Sequence, residues 1–202
     1  MELVRKIKAI KKKVGKQVEE KLREFEGNTR LTPEEKFLEL CFCILVANMS
    51  LEKTLEVWRN IGKGFLSLSE DRLKEKLKEL GYRFYNRAEY IVADRKFIKD
   101  LDAAVASKNP REWLVKNVKG IGWKEASHFL RNLGFKDFAI LDRHVLKILV
   151  ENKIIAKPKA LTKTFYLETE DKLRKVAEKL GISLAELDLY LFYLDAGKVC
   201  ER

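Results

Sequence analysis

The chain has 202 residues, 46% of them hydrophobic and 36% charged, a length that supports one compact unit or two small subdomains with cores of their own. Lys and Arg outnumber Asp and Glu by 42 to 31, and the formal charge of +11 favours a polyanionic partner, although lysine- and glutamate-rich surfaces also occur in heat-adapted proteins. No apolar run is long enough to span a bilayer and no secretory signal opens the chain, so a cytoplasmic, membrane-free protein is expected.

The elements follow in chain order. Leu3, Ile7, Ile10, Val14 and Val18 form one stripe of an amphipathic helix, with Arg5, Lys6, Lys8, Lys11, Lys12, Lys13 and Lys16 on the solvated side. Thr32-Pro33-Glu34-Glu35 is a capping box with proline at the first helical position, and it launches the apolar run over 37–46. Ser50 caps a helix running through Trp58, and Ser69 caps another that closes at Gly81. Asn109-Pro110 opens a short helix, and a further helix is expected over 123–133, with Ala126, Phe129, Leu130 and Leu133 near one face and Gly134 at its C′ position. The apolar approach Ala139-Ile140-Leu141 delivers Asp142 to the start of a helix through Val150. Ser183 with Glu186 reads as a second capping box, for a helix that closes at Gly197. No alternating strand pattern occurs, so the expectation is an all-α protein of about ten helices.

The cysteines offer little chemistry. Cys41, Cys43 and Cys200 make no paired framework, and Cys41-Phe42-Cys43 lies in an apolar stretch where burial is expected. Their spacing suits no iron–sulfur cluster, and His128 and His144 are too few for a zinc site.

Val118-Lys119-Gly120-Ile121-Gly122 is more informative. A tight glycine-bearing loop between two helices is the helix-hairpin-helix pattern, whose N–H groups at a helix N-terminus suit a phosphate oxygen, directly or through a monovalent cation. Lys116 and Lys119 add charge nearby; an ordinary interhelical turn fits the same residues. Lys124 falls in the first turn of the next helix, the positive end of its dipole and an unfavourable place for an ammonium. Asp142, taken alone, is an N-cap, and His144 a packing or surface histidine.

Lys119-Gly120-Ile121-Gly122-Trp123-Lys124, followed by Leu141-Asp142-Arg143-His144, resembles the helix-hairpin-helix DNA glycosylase superfamily, and within it the lysine-bearing branch that removes oxidised purines. Val46-Ala47-Asn48-Met49-Ser50 and Gly81-Tyr82-Arg83-Phe84-Tyr85 fit the same branch, and the short length is similar to the small archaeal-type 8-oxoguanine DNA glycosylase/AP lyases. The resemblance implies two helical subdomains with a lesion cleft between them. One comprises 1–30 and 137–202, with the C-terminal helix over the lesion pocket; the other comprises 31–136 and carries the helix-hairpin-helix at about 109–134. It implies excision of 8-oxoguanine from double-stranded DNA through a lysine Schiff base, then strand cleavage 3′ to the abasic site by β-elimination.

In that scheme Lys124 is the nucleophile, and Asp142 stabilises the charge that develops on the sugar. Gly120, Gly122 and Lys119 hold the DNA backbone. Phe84, Phe192 and Arg202 line the lesion pocket, with phenylalanine at 192 where small relatives commonly carry tryptophan and arginine at 202 where they usually carry lysine. Asn48 and Arg83 fill the gap left by the flipped nucleotide or touch the opposite base. No cofactor is expected beyond a monovalent cation between hairpin and phosphate, and the protein is expected to act as a monomer beside the chromosome. Three other readings stay open: a non-catalytic helix-hairpin-helix module that grips DNA backbone, a monofunctional glycosylase in which Asp142 activates water and Lys124 holds phosphate, and an unrelated all-α protein of a basic ribonucleoprotein assembly.

Overall fold

The computed structural model describes residues 2–200, and these form α-helices and short 3₁₀ turns with no strand among them. The all-α expectation therefore holds. Helix α1 (Glu2–Gly27) buries Leu3, Ile7, Val14, Val18 and Phe25 along one stripe and leaves most of its lysines exposed. Helices α2 (Pro33–Val46), α3 (Leu51–Ile61), α4 (Gly64–Ser67), α5 (Glu70–Glu79), α6 (Arg87–Asp94), α7 (Leu101–Val105) and α8 (Pro110–Asn117) follow. Then come α9 (Trp123–Asn132), α10 (Arg143–Glu151), α11 (Lys163–Leu180) and α12 (Leu184–Ala196). Ser50, Ser69 and Asp142 cap α3, α5 and α10 with their side chains as expected. No described helix is long and apolar enough to cross a membrane.

The helices divide into two compact units, one of Met1–Thr29 with Leu130–Arg202, the other Arg30–Phe129. The second boundary thus falls inside α9, so the stretch 130–136 goes with the terminal segments rather than with the hairpin.

In the unit Arg30–Phe129, α2 is the central element. Phe37, Leu40, Cys41, Phe42, Cys43, Ile44 and Leu45 have no exposed surface, and α3, α4, α6 and α7 pack around them. Each such side chain contributes roughly 1.5–3 kcal/mol through burial. The α2 start is closed by the full capping box: Thr32 Oγ1 accepts from Glu35 N–H at 3.3 Å, and Glu35 accepts from Thr32 N–H at 2.8 Å. Trp58 from α3 ties itself to α2 by donating to Leu38 O at 2.8 Å.

In the other unit, α12 packs against α1, α10 and α11. Its capping box is half formed. Ser183 Oγ accepts from Glu186 N–H, but the Glu186 carboxylate turns to Lys11 on α1, 3.0 Å away, because an ion pair between packed helices competes with the reach back to the cap. Gly134 has φ +87°, and a methyl there would stand 3.0 Å from Phe25 O, so the end of α9 and the end of α1 pass too closely for any other residue.

Candidate active site

The hairpin joins α8 to α9. Pro110 occupies the first turn of α8, where its missing N–H costs nothing, while the Asn109 side chain makes no capping bond. Gly120 adopts φ +74°, and a methyl on it would lie 2.7 Å from Cδ2 of Tyr90; conformation and the close ring both demand glycine. Gly122 has no positive φ, and its lack of a side chain instead makes room for the Glu125 carboxylate, 3.1 Å from where a Cβ would sit. Asp94 at the end of α6 anchors the loop by accepting the Lys119 N–H at 3.0 Å. The Lys119 side chain is exposed and reaches Glu89 Oε1 at 3.3 Å, a solvated pair worth little to stability.

Packing sets the start of α9. The buried Arg111 guanidinium lies 4.7 Å over the Trp123 ring, and its Nη1 donates to Ser127 Oγ at 3.3 Å. With Trp123 fixed, Lys124 is held half-buried in the first turn. Its Nζ is 3.1 Å from Glu125 Oε1, with the two side chains 22% and 15% exposed. The sequence reading missed Glu125, because adjacent helical residues do not face one another. In the first turn both side chains bend back toward the N-terminus and meet there, and the carboxylate also offsets the positive end of the helix.

Asn48 and Arg83 both lie in the same unit as Lys124 and are exposed. Asn48 follows the end of α2 with φ +58°, a left-handed conformation that asparagine tolerates better than most residues. Arg83 lies with its guanidinium carbon 4.5 Å from the Phe84 ring centroid, and Phe84 is half-buried.

In the other unit, Asp142 takes the N-cap of α10. Its Oδ1 accepts from Val145 N–H at 2.8 Å. The approach to it is fixed by α11, a helix the sequence reading did not single out. Tyr166 donates to Ala139 O at 2.7 Å and accepts from Leu141 N–H at 3.3 Å, while Glu170 accepts from Ala139 N–H at 2.8 Å. Thr162 as N-cap, Gly181 as left-handed terminator and the spacing of Tyr166, Leu173, Val176 and Ala177 were the signal available for it.

His144 is neither loose nor purely apolar. Its Nδ1 bonds Asp195, which also binds Lys147 at 2.5 Å; Lys147 first, then His144, hold the Asp195 carboxyl below the usual carboxylate range. The opposite side of the relationship is Phe192, whose ring meets His144 edge-on at 5.1 Å. Phe192 is half-buried, unlike Leu187, Leu189 and Leu191 around it, which are buried. Arg202 lies outside the described residues.

Comparison with known proteins gives one consistent result. Residues 18–182 match a family model described as 8-oxoguanine DNA glycosylase. An 8-oxoguanine DNA glycosylase/AP lyase of Methanocaldococcus jannaschii is 49% identical over 98% of this chain and 99% of that protein. A crystal structure of the Methanocaldococcus jannaschii glycosylase/lyase in complex with a 15mer DNA containing 8-oxoguanine superposes with a TM-score of 0.96 at 46% identity, covering 100% of both chains. The structure of the 8-oxoguanine DNA glycosylase of Thermotoga maritima gives a TM-score of 0.94 at 45% identity over 99% of each chain.

Proposed function

The chain belongs to the 8-oxoguanine DNA glycosylase family, and from that premise we propose how its residues carry out the work of an 8-oxoguanine DNA glycosylase/AP lyase. The enzyme excises 8-oxoguanine from duplex DNA and cleaves the strand at the abasic site. A stacked base shields its own sugar, so the nucleotide leaves the helix first.

Lys124 Nζ, as the free amine, attacks C1′ of the deoxyribose; the N–C1′ bond forms while the glycosidic bond breaks and the base departs with a proton. The sugar opens to a Schiff base, which acidifies the C2′ proton. Loss of that proton breaks the C3′–O3′ bond, giving β-elimination on the 3′ side. Asp142, whose Oδ1 is held by Val145 N–H, directs its second oxygen to the positive charge growing on the sugar. Its capping and its chemistry are compatible because they use different oxygens.

The supporting residues take sequence-independent and lesion-facing roles. Lys119, Gly120 and Gly122 hold the backbone, which positions the duplex without reading it. Exposure of Lys119 and Gly120 also suits a monovalent cation held between the loop and a phosphate. Phe84 and Phe192 offer aromatic faces to the extruded purine, and Asn48 and Arg83 occupy the gap or the opposite base.

The observation that carries this reading is a half-buried lysine in the first helical turn after a glycine hairpin, paired with the carboxylate of Glu125. Strand cleavage of an 8-oxoguanine duplex without added alkali tests it. Lys124→Gln is expected to abolish cleavage, and Asp142→Asn to slow base release by about a hundredfold or more. Alkali-free cleavage by Lys124→Gln at the normal rate would remove Lys124 from its role.

A further inference from the structure

Charge is unevenly spread along α1. Its first part, 2–18, holds seven cations, Arg5, Lys6, Lys8, Lys11, Lys12, Lys13 and Lys16, against one acid, Glu2; the remainder, 19–27, holds four acids and two cations. Lys6 pairs with Glu2 at 2.9 Å, and Lys11 leans to Glu186 of α12 at 3.0 Å. Arg5, Lys8, Lys12 and Lys16 are exposed and follow one another at spacings of three, four and four residues. At about 100° per residue these four share one face, roughly opposite the stripe of Leu3, Ile7, Val14 and Val18 that the helix buries.

Such a face is a poor choice for stability. The first turns of a helix are the positive end of its dipole, where acids stabilise and cations do not. Lys8, Lys12 and Lys16 repel one another at i,i+4, the spacing at which α5 sets Lys74 against Glu70. Heat-adapted surfaces gain from lysine when it is interleaved with acids in ion-pair networks, and no acid occurs between Leu3 and Val18. A solvated face that breaks these local rules with no packing to gain is suited instead to a ligand of opposite charge.

The dimensions fit a duplex. From Arg5 to Lys16 the helix rises about 16 Å, the axial length of roughly five phosphates of one strand. Charged groups on flexible stems read no base, so they hold damaged and undamaged DNA alike.

We propose that Arg5, Lys8, Lys12 and Lys16 form a second DNA-backbone surface, apart from the glycine hairpin, which retains the enzyme on undamaged duplex between excisions. It rests on duplex DNA being the partner and not on the roles given to Lys124 and Asp142. The stripe supplies affinity without sequence preference, and that affinity weakens with salt as phosphate contacts do.

Binding of the full chain to a fluorescent undamaged duplex, followed by anisotropy across a range of salt concentrations, tests this. Lys8→Gln/Lys12→Gln/Lys16→Gln, which keeps helix propensity, is compared with Lys99→Gln/Lys172→Gln/Lys175→Gln, which removes three charges from other exposed positions. The stripe variant is expected to lower the slope of log K against log salt by about 2–3 and to bind about tenfold more weakly at about 0.1 M salt; the control is expected to change the slope by about 1 or less. Lys12→Glu places an acid between Lys8 and Lys16 at i,i+4, and is expected to melt higher than wild type while binding undamaged duplex more weakly. An unchanged slope in the stripe variant overturns the proposal, as does an equal fall in the control, which would make net charge the cause. So does a Lys12→Glu protein that melts higher and binds as tightly as wild type.

Discussion

Lys124 Nζ stands 3.1 Å from Glu125 Oε1, so the nucleophile is held in an ion pair that must open before the nitrogen can reach a sugar. Both side chains keep some contact with solvent, and such partly exposed pairs contribute on the order of 1 kcal/mol or less. That magnitude decides the issue: the pair is a resting place for the lysine, not a barrier to reaction. Glu125→Gln preserves shape and removes the attraction. Borohydride trapping on an abasic duplex is then expected to proceed at the wild-type rate or a few-fold faster. A loss beyond about tenfold would mean that the carboxylate itself moves a proton in the reaction. At the same scale, the edge-on packing of Phe192 against His144 explains why that ring stays half-buried in leucine-rich company: the histidine is fastened to Asp195, leaving a polar neighbour where the core would otherwise close.

The hairpin depends on the end of α6. Asp94 is 1% exposed; its Oδ1 accepts the Lys119 N–H, and its Oδ2 has no hydrogen-bond partner among the described residues. Burial pushes its carboxyl up to about 6 from an ordinary value near 3.8, against the opposing pull of the Lys119 N–H. The unfolded chain releases this proton at lower pH than the folded one, so stability falls as pH climbs from about 4 to about 6, and the cost is complete above that. Asp94→Asn can keep the bond to Lys119 and cannot ionise. Its melting temperature relative to wild type is expected to be roughly 5–10 °C more favourable at about pH 7.5 than at about pH 4. A difference that does not change with pH would show that Asp94 titrates normally. How legible the elements were follows from what each one uses. Caps at Thr32, Ser50, Ser69 and Asp142 act within three residues and could be read along the chain. The hairpin could be read because Gly120 needs both its positive φ and its missing side chain. Not legible were contacts between distant segments: Tyr166 and Glu170 steering Ala139 and Leu141, Glu186 leaving its cap for Lys11, and Arg87 reaching back to Leu45 and Ala47. Helix α11 was the avoidable miss, since its cap and its terminator are both local.

Among the described residues, many surface ion pairs join side chains three or four positions apart on one helix. Lys53–Glu56, Arg72–Glu75, Lys74–Glu70 and Lys76–Glu79 each neutralise a cation on its own helix. Such pairs do not alter the surplus of +11, and that surplus is the part available to phosphates. With so many lysines near a polyanion, the reactive one cannot be assigned from charge, only from placement. Lys124 is the lysine that a buried Arg111–Trp123 contact fixes in the first turn beyond the hairpin. Reducing the intact enzyme with borohydride during turnover of an 8-oxoguanine duplex, digesting the covalent product and sequencing the DNA-bearing peptide by mass spectrometry identifies the nitrogen directly. The adduct is expected on Lys124; an adduct carried instead by another lysine or by the terminal amine would contradict the account.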